Sequence, residues 1–107
     1  MAGQRRDRPM PAKVSVIVPA FNESARIARV LRGIKPFADE VLVIDDGSKD
    51  NTGEIALQHG ARVIRQKNSG YIESIKNGFK EASGDIFVTI DADGENDPED
   101  IPRLIKF

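Results

Sequence analysis

The sequence contains no cysteine, which excludes a disulfide framework and a thiolate metal site. It has no long apolar run. The longest purely aliphatic stretch is Val41-Leu42-Val43-Ile44, where a bilayer-spanning helix needs about 20 residues. No charge of one sign prevails either: 16 basic residues face 17 acidic ones, so no bulk charge draws the chain to nucleic acid or to a membrane surface. What is present, 39% hydrophobic and 31% charged residues in a length of 107, suits one globular domain and not a disordered chain.

The first 13 residues stand apart. Arg5, Arg6, Arg8 and Lys13 outnumber Asp7, and Pro9 and Pro11 follow the charges. No apolar stretch succeeds the basic start, so a secretory signal is not expected. Residues 1–13 are expected to form a flexible basic tail ahead of a domain over 14–107.

From Val14 two kinds of segment alternate. Val14-Ser15-Val16-Ile17-Val18 is β-branched and reads as a strand ended by Pro19. Ile27, Val30, Leu31 and Ile34 form one stripe of a helix, with Asn22 as its expected N-cap and Pro36 as its stop. Residues 41–44 read as a strand buried on both faces. Asn51 and Glu54 resemble a capping box opening a short second helix, which Gly60 closes. A third strand covers 62–65, and Ile72, Ile75, Phe79 and Ala82 mark the apolar stripe of a third helix. Residues 86–90 are the fourth strand, and Asp97-Pro98-Glu99-Asp100 opens a last helix. This order predicts an α/β fold: a three-layer, open, mainly parallel sheet with right-handed helical crossovers. Such sheets bind ligands at the carboxyl ends of their strands, where strand order reverses.

The chemistry-bearing residues fall at that rim. The four strands run into Pro19-Ala20-Phe21-Asn22-Glu23, Asp45-Asp46-Gly47-Ser48, Arg65-Gln66-Lys67-Asn68-Ser69-Gly70 and Asp91-Ala92-Asp93-Gly94-Glu95. Residues two apart at an extended strand end point the same way. Asp91 and Asp93 so placed suit one hard divalent cation, and Glu95 continues the spacing as a third ligand. Acids directly after a buried apolar strand are costly to place without a partner.

With these motifs the chain resembles the family 2 glycosyltransferases of the GT-A, Rossmann-like fold. The resemblance covers residues 13–107. It rests on Val16-Ile17-Val18-Pro19-Ala20-Phe21-Asn22-Glu23, on Val43-Ile44-Asp45-Asp46-Gly47-Ser48 with Asp50, Asn51 and Thr52, and on Asn68, Gly70, Gly78, Ala82, Gly84 and Asp85. Ile90-Asp91-Ala92-Asp93-Gly94, followed by Pro98, matches the Asp-x-Asp metal motif. Within the family the chain is most similar to the polyprenyl-phosphate (dolichyl-phosphate) mannosyl- and glucosyltransferases.

The resemblance implies an inverting, metal-dependent transfer of sugar from a UDP- or GDP-sugar to a polyprenyl phosphate. It implies Pro19, Phe21, Glu23, Asp46, Gly47 and Asp91 as nucleotide-sugar contacts, and Asp91, Asp93 and Glu95 as ligands of Mg²⁺ or Mn²⁺. Asp91 and Asp93 are then the catalytic pair. Asp45 is expected to support its turn, and Ser74 to be a neutral replacement for a common alanine. Arg65 and Lys67 are expected to be solvated, Tyr71 to pack ordinarily, and His59 to be a helix-end residue. Family members continue for about another hundred residues past the metal motif, so 14–107 is expected to be the donor-nucleotide half. Strand four then lies near an unpaired sheet edge open to association with a second copy. A cytoplasmic location, peripheral to the membrane face, accompanies this reading, with no nucleic-acid partner.

Three other readings compete. A haloacid-dehalogenase-type phosphohydrolase also carries Asp-x-Asp-Gly at a strand end, but needs a lysine and further acids well downstream. A sugar-1-phosphate nucleotidyltransferase needs a glycine-rich loop after strand one, and residues 19–23 contain no glycine. A non-catalytic nucleotide-binding or oligomer-forming module would keep the pocket without turnover.

Overall fold

The computed structural model describes residues 12–93. Within them run β1 (Val14–Ala20), α1 (Ile27–Ile34), β2 (Glu40–Asp45), α2 (Thr52–Gln58), β3 (Arg62–Arg65), α3 (Tyr71–Glu81) and β4 (Ile86–Thr89), with one 3-10 turn at Lys35–Phe37. All strand pairs are parallel and the order is β3-β2-β1-β4. The chain thus builds outward from β1 through β2 to β3, then returns to the far side of β1 for β4. That reversal makes the carboxyl ends of β1 and β4 the place where a ligand fits between diverging loops. The last helix expected from Asp97, and Glu95 before it, lie outside the described residues.

Strand periodicity divides the core. Val14, Val16, Val18 and Ala20 of β1 join Val43 and Val88 under the α1 stripe of Ile27, Val30, Leu31 and Ile34, with Ala56 of α2 in the same cluster. Ile17 turns to the opposite face with Leu42 and Ile44, and α3 covers that face. All seven residues of β1 are buried, as a central strand covered on both sides requires. Each aliphatic side chain taken fully out of water there contributes about 1.5–3 kcal/mol. Among the described residues no helix is long and apolar enough to cross a membrane.

Three local expectations are corrected. Asn22 does not cap α1: it sits at φ 54, and its Oδ1 accepts the Lys49 N–H at 2.8 Å while its own N–H donates to Ser48 Oγ at 2.8 Å. The turn into α1 is closed instead by the Glu23 carbonyl, which accepts from the Arg26 and Ile27 N–H groups. Asn51 makes no side-chain cap on α2, because Asp50 has taken that role, accepting the Thr52 N–H at 3.1 Å and the Thr52 hydroxyl.

The third correction concerns α3. Its buried residues are Ser74 and Gly78, whereas Ile72 is 65% exposed and Phe79 47%. A Cβ on Gly78 would stand 2.4 Å from Ile17 Cγ2, so the helix lies too close to β1 for any side chain there. Close approach selects small residues for the inner face and leaves Ile72 and Phe79 of the expected stripe outward, while Ala82 packs against Ile17, Leu42 and Ile44 and Ile75 is half-buried. Phe79 stacks on Phe87 of β4, the edge of the sheet among the described residues, ring centroids 5.7 Å apart.

Candidate functional site

Two neighbouring cavities open at the carboxyl ends of the strands. One, of ≈ 130 Å³, is lined by Pro19, Ala20, Phe21, Asp46, Tyr71 and Ser74. The other, of ≈ 230 Å³, is lined by Pro19, Glu23, Tyr71, Asp91, Ala92 and Asp93. Pro19 and Tyr71 belong to both, so the loops after β1, β2 and β4 and the start of α3 meet in one cleft.

Asp46 is the hub of the first cavity and is only 6% exposed. Its N–H donates to the Ala20 carbonyl at 2.9 Å, tying the end of β2 to the end of β1. Its Oδ1 accepts from Gln66 Nε2 at 2.9 Å and from the Ser69 N–H at 2.7 Å; its Oδ2 accepts from the Gly70 N–H at 3.0 Å. Burial pushes the carboxyl up, but these donors outweigh it together and leave Asp46 below the ordinary aspartate range. Gln66 is held in turn: its Nε2 also reaches Ser74 Oγ at 3.1 Å, and its Oε1 accepts from Asn77 Nδ2 at 2.9 Å. The Ser74 hydroxyl donates to the Gly70 carbonyl at 3.0 Å. Ser74 is therefore not neutral, because an alanine would remove both bonds. Sequence reasoning put Gln66 in the rim segment after strand three but gave it no role, and did not place Ser74 and Asn77 in the site, although a signal existed: a polar residue one step past a strand, followed by small and amide residues along α3.

Asp45, fully buried, supports its turn by accepting the Ser48 N–H at 2.9 Å. Its Oδ2 receives Arg65 Nη1 at 2.9 Å, and Arg65 Nη2 donates to the Ser48 carbonyl at 2.7 Å. Arg65 is thus engaged by the end of β2 and the loop after it, and not merely solvated. Gly47, at φ 79, would place a Cβ 2.9 Å from Asn68 N, so this glycine lets the loops after β2 and β3 touch. Asp50 is drawn down to about 2, chiefly by the Thr52 hydroxyl and, against some burial, by the hydroxyl and N–H of Ser24 and the N–H of Thr52. His59 lies apart at the end of α2, with Nδ1 3.0 Å from the Ile55 carbonyl.

The second cavity gathers acids. Asp91 and Asp93 flank the buried Ala92 in a turn past the end of β4, yet both line the same space. The extended geometry expected for them is absent; burial of Ala92 between them brings them to one side instead. Glu23, expected beside the nucleotide pocket, lines this acidic cavity, where its Oε1 holds Arg26 at 2.7 Å. The Tyr71 hydroxyl donates to Asp91 Oδ1 at 3.3 Å. Burial, then the Asp91 charge and that bond, push the phenol up. Among the described residues no group of three His, Cys, Asp or Glu could hold a metal ion by itself. Two carboxylates are what Mg²⁺ takes when substrate phosphates complete its shell, so the donor set fits a shared cation.

Known proteins share this architecture. The family model described as Glycosyl transferase family 2 matches residues 15–107. An undecaprenyl-phosphate 4-deoxy-4-formamido-L-arabinose transferase from Pseudomonas savastanoi is 37% identical, over 92% of this chain and 33% of the relative. A dolichol-phosphate mannosyltransferase from Pyrococcus furiosus is 40% identical, over 88% of this chain and 29% of the relative. The chain spans about a third of the length of these curated relatives. Among solved structures, glucosyl-3-phosphoglycerate synthase from Mycobacterium tuberculosis, in complex with Mn²⁺, UDP and glucosyl-3-phosphoglycerate, superposes with a TM-score of 0.77 and 34% identity. That match covers 86% of this chain and 38% of the synthase.

Proposed function

Because the chain belongs to glycosyl transferase family 2, we propose that it forms the donor-nucleotide half of a transferase that moves a sugar from a UDP- or GDP-sugar to a polyprenyl phosphate. The observation that carries this is the pair of cavities sharing Pro19 and Tyr71, one built around Asp46 and the other around Asp91 and Asp93. Their chemistry matches the two ends of a nucleoside-diphosphate sugar: a flat base bearing an N–H, and a doubly charged diphosphate.

Phe21, 45% exposed at the rim of the first cavity, offers a ring face for a base. A carboxylate has about four lone-pair sites, and Asp46 has used three on the loop after β3. The remaining one accepts a ring N–H. Uracil and guanine carry such an N–H between two carbons; the corresponding ring nitrogens of cytosine and adenine are acceptors. This supports a base with such a ring N–H, as in uridine or guanosine nucleotides, over cytidine or adenosine. Asp91 and Asp93 would hold Mg²⁺ or Mn²⁺, which when bound neutralises charge on the departing diphosphate. A phosphate acceptor is already ionised, so none of the described residues has to act as its base. The relatives named for undecaprenyl and dolichol phosphate support that acceptor class.

Titration calorimetry with UDP and GDP, with and without Mn²⁺, tests the reading. Wild-type chain is expected to bind one of them more tightly with Mn²⁺, and Asp93→Ala to lose the Mn²⁺-dependent gain while staying folded. Absence of binding to either nucleotide in saturating Mn²⁺ overturns it.

A further inference from the structure

Tyr71 is the first residue of α3, 54% exposed, and one of the two residues that line both cavities. Its position is held from two directions. Behind it, the Ser69 and Gly70 N–H groups are fixed on the Asp46 carboxylate at 2.7 and 3.0 Å. Ahead of it, the phenol donates to Asp91 Oδ1 at 3.3 Å. One side chain therefore spans from the Asp46 loop to the acidic turn after β4, with its ring between.

We infer that Tyr71 is a binding and positioning residue of the donor site, its ring forming a second aromatic wall of the nucleoside pocket beside Phe21 and its hydroxyl orienting Asp91 for the cation. The inference rests on the donor-site reading above and assigns the ring and the hydroxyl separate tasks. Half-exposed aromatic rings on a pocket shared with an acceptor carboxylate suit a stacked base. Carboxylates that ligate metals are themselves commonly hydrogen-bonded, and loss of such an outer bond typically lowers metal affinity about 10–100-fold. The phenol stands in that relation to Asp91. Nucleoside and cation are then coupled through one residue: a base resting on the ring fixes the hydroxyl that orients the carboxylate.

The chain carries one tyrosine and no tryptophan, so its tyrosine emission comes from Tyr71 alone. In the test, wild type, Tyr71→Phe and Tyr71→Ala are titrated with uridine without metal, and with UDP in Mn²⁺; guanosine and GDP replace them if the chain prefers that base. Tyr71 is half exposed, so neither variant removes a core contact, and unfolding midpoints monitor integrity. Wild type is expected to change its tyrosine emission on binding. Tyr71→Phe should bind the nucleoside within about twofold of wild type but lose about tenfold in Mn²⁺-supported nucleotide affinity. Tyr71→Ala should lose about tenfold in both. Equal affinities in all three proteins, with wild type binding the nucleotide and Mn²⁺ normally, refute the role of Tyr71 alone. Failure of wild type to bind any nucleotide refutes the donor-site reading and this inference with it.

Discussion

Replacing Asp46 by asparagine changes one atom's chemistry and almost no volume, and the structure specifies the consequence. The aspartate Oδ1 receives two donors, from Gln66 Nε2 and the Ser69 N–H, and Oδ2 receives the Gly70 N–H. Asparagine keeps one oxygen and substitutes an NH₂ for the other. Whichever way it turns, at least one N–H donor meets another donor. A hydrogen bond to a charged acceptor contributes about 1.5–3 kcal/mol, and a buried donor left unmet costs a similar amount. Because the loop relaxes in part, the expected loss is about 2 kcal/mol at neutral pH. Urea unfolding measures it, and amide hydrogen exchange locates it: exchange at Ser69 and Gly70 should accelerate well before that of β1. The folded carboxyl lies below its ordinary value, so its contribution is full above the unfolded pKa and is lost as pH falls through the folded one. The gap between wild type and Asp46→Asn should therefore be widest near pH 7 and narrow below about pH 4. A variant within about 0.5 kcal/mol of wild type at pH 7, with unchanged exchange at Gly70, would refute the role given to Asp46 as organiser of the loop.

The same contacts set other outcomes. Arg65→Met leaves the buried Asp45 without its cation; since Arg65 itself is 59% exposed, the expected cost is about 1–2 kcal/mol in urea unfolding. Its Mn²⁺-supported nucleotide affinity should stay within about threefold of wild type, and a larger loss would mean the guanidinium serves the diphosphate instead. Gly78→Ala forces a methyl against Ile17 and should destabilise by about 1–3 kcal/mol, although alanine is the better helix former. Trimming Ile17 to alanine in the same chain should recover part of that loss in a double-mutant cycle, and strict additivity would count against the packing argument. Glu40 is also held below its usual range: burial raises it, but bonds from Ser83, Ser15 and Arg62 outweigh that. With Asp46 and Asp50 likewise depressed, stability should fall from about pH 4 downward and continue falling to about pH 2, as circular dichroism across an acid titration would record.

Much of the architecture was legible one segment at a time. Apolar β-branched runs separated by a helical stripe specify parallel strands with crossovers, and all four strands lie within one or two residues of where the pattern puts them. Each run is its own signal: a strand with no polar position must be covered on both faces. Pairing of residues across strands was not legible. The acids at 45–46 and 91–93 stood out because each follows an apolar strand segment, but nothing in their spacing said that Asp46 would spend most of its acceptor capacity on a loop about 20 residues later. Asn22 looked like a cap and instead bridges to the loop after β2, since a cap signal cannot tell which neighbouring backbone is nearest once the sheet has formed. The stripe of α3 misled for a related reason. Periodicity reports which residues share a helix face, whereas the distance to the sheet decides which face can go inward. Local propensity and hydrophobic period act through neighbours in the chain, and they determined the elements and their order. The cleft, with Tyr71 between the Asp46 loop and the Asp91 turn, arises from contacts between residues far apart in sequence, which exist only after β4 returns to the far side of β1.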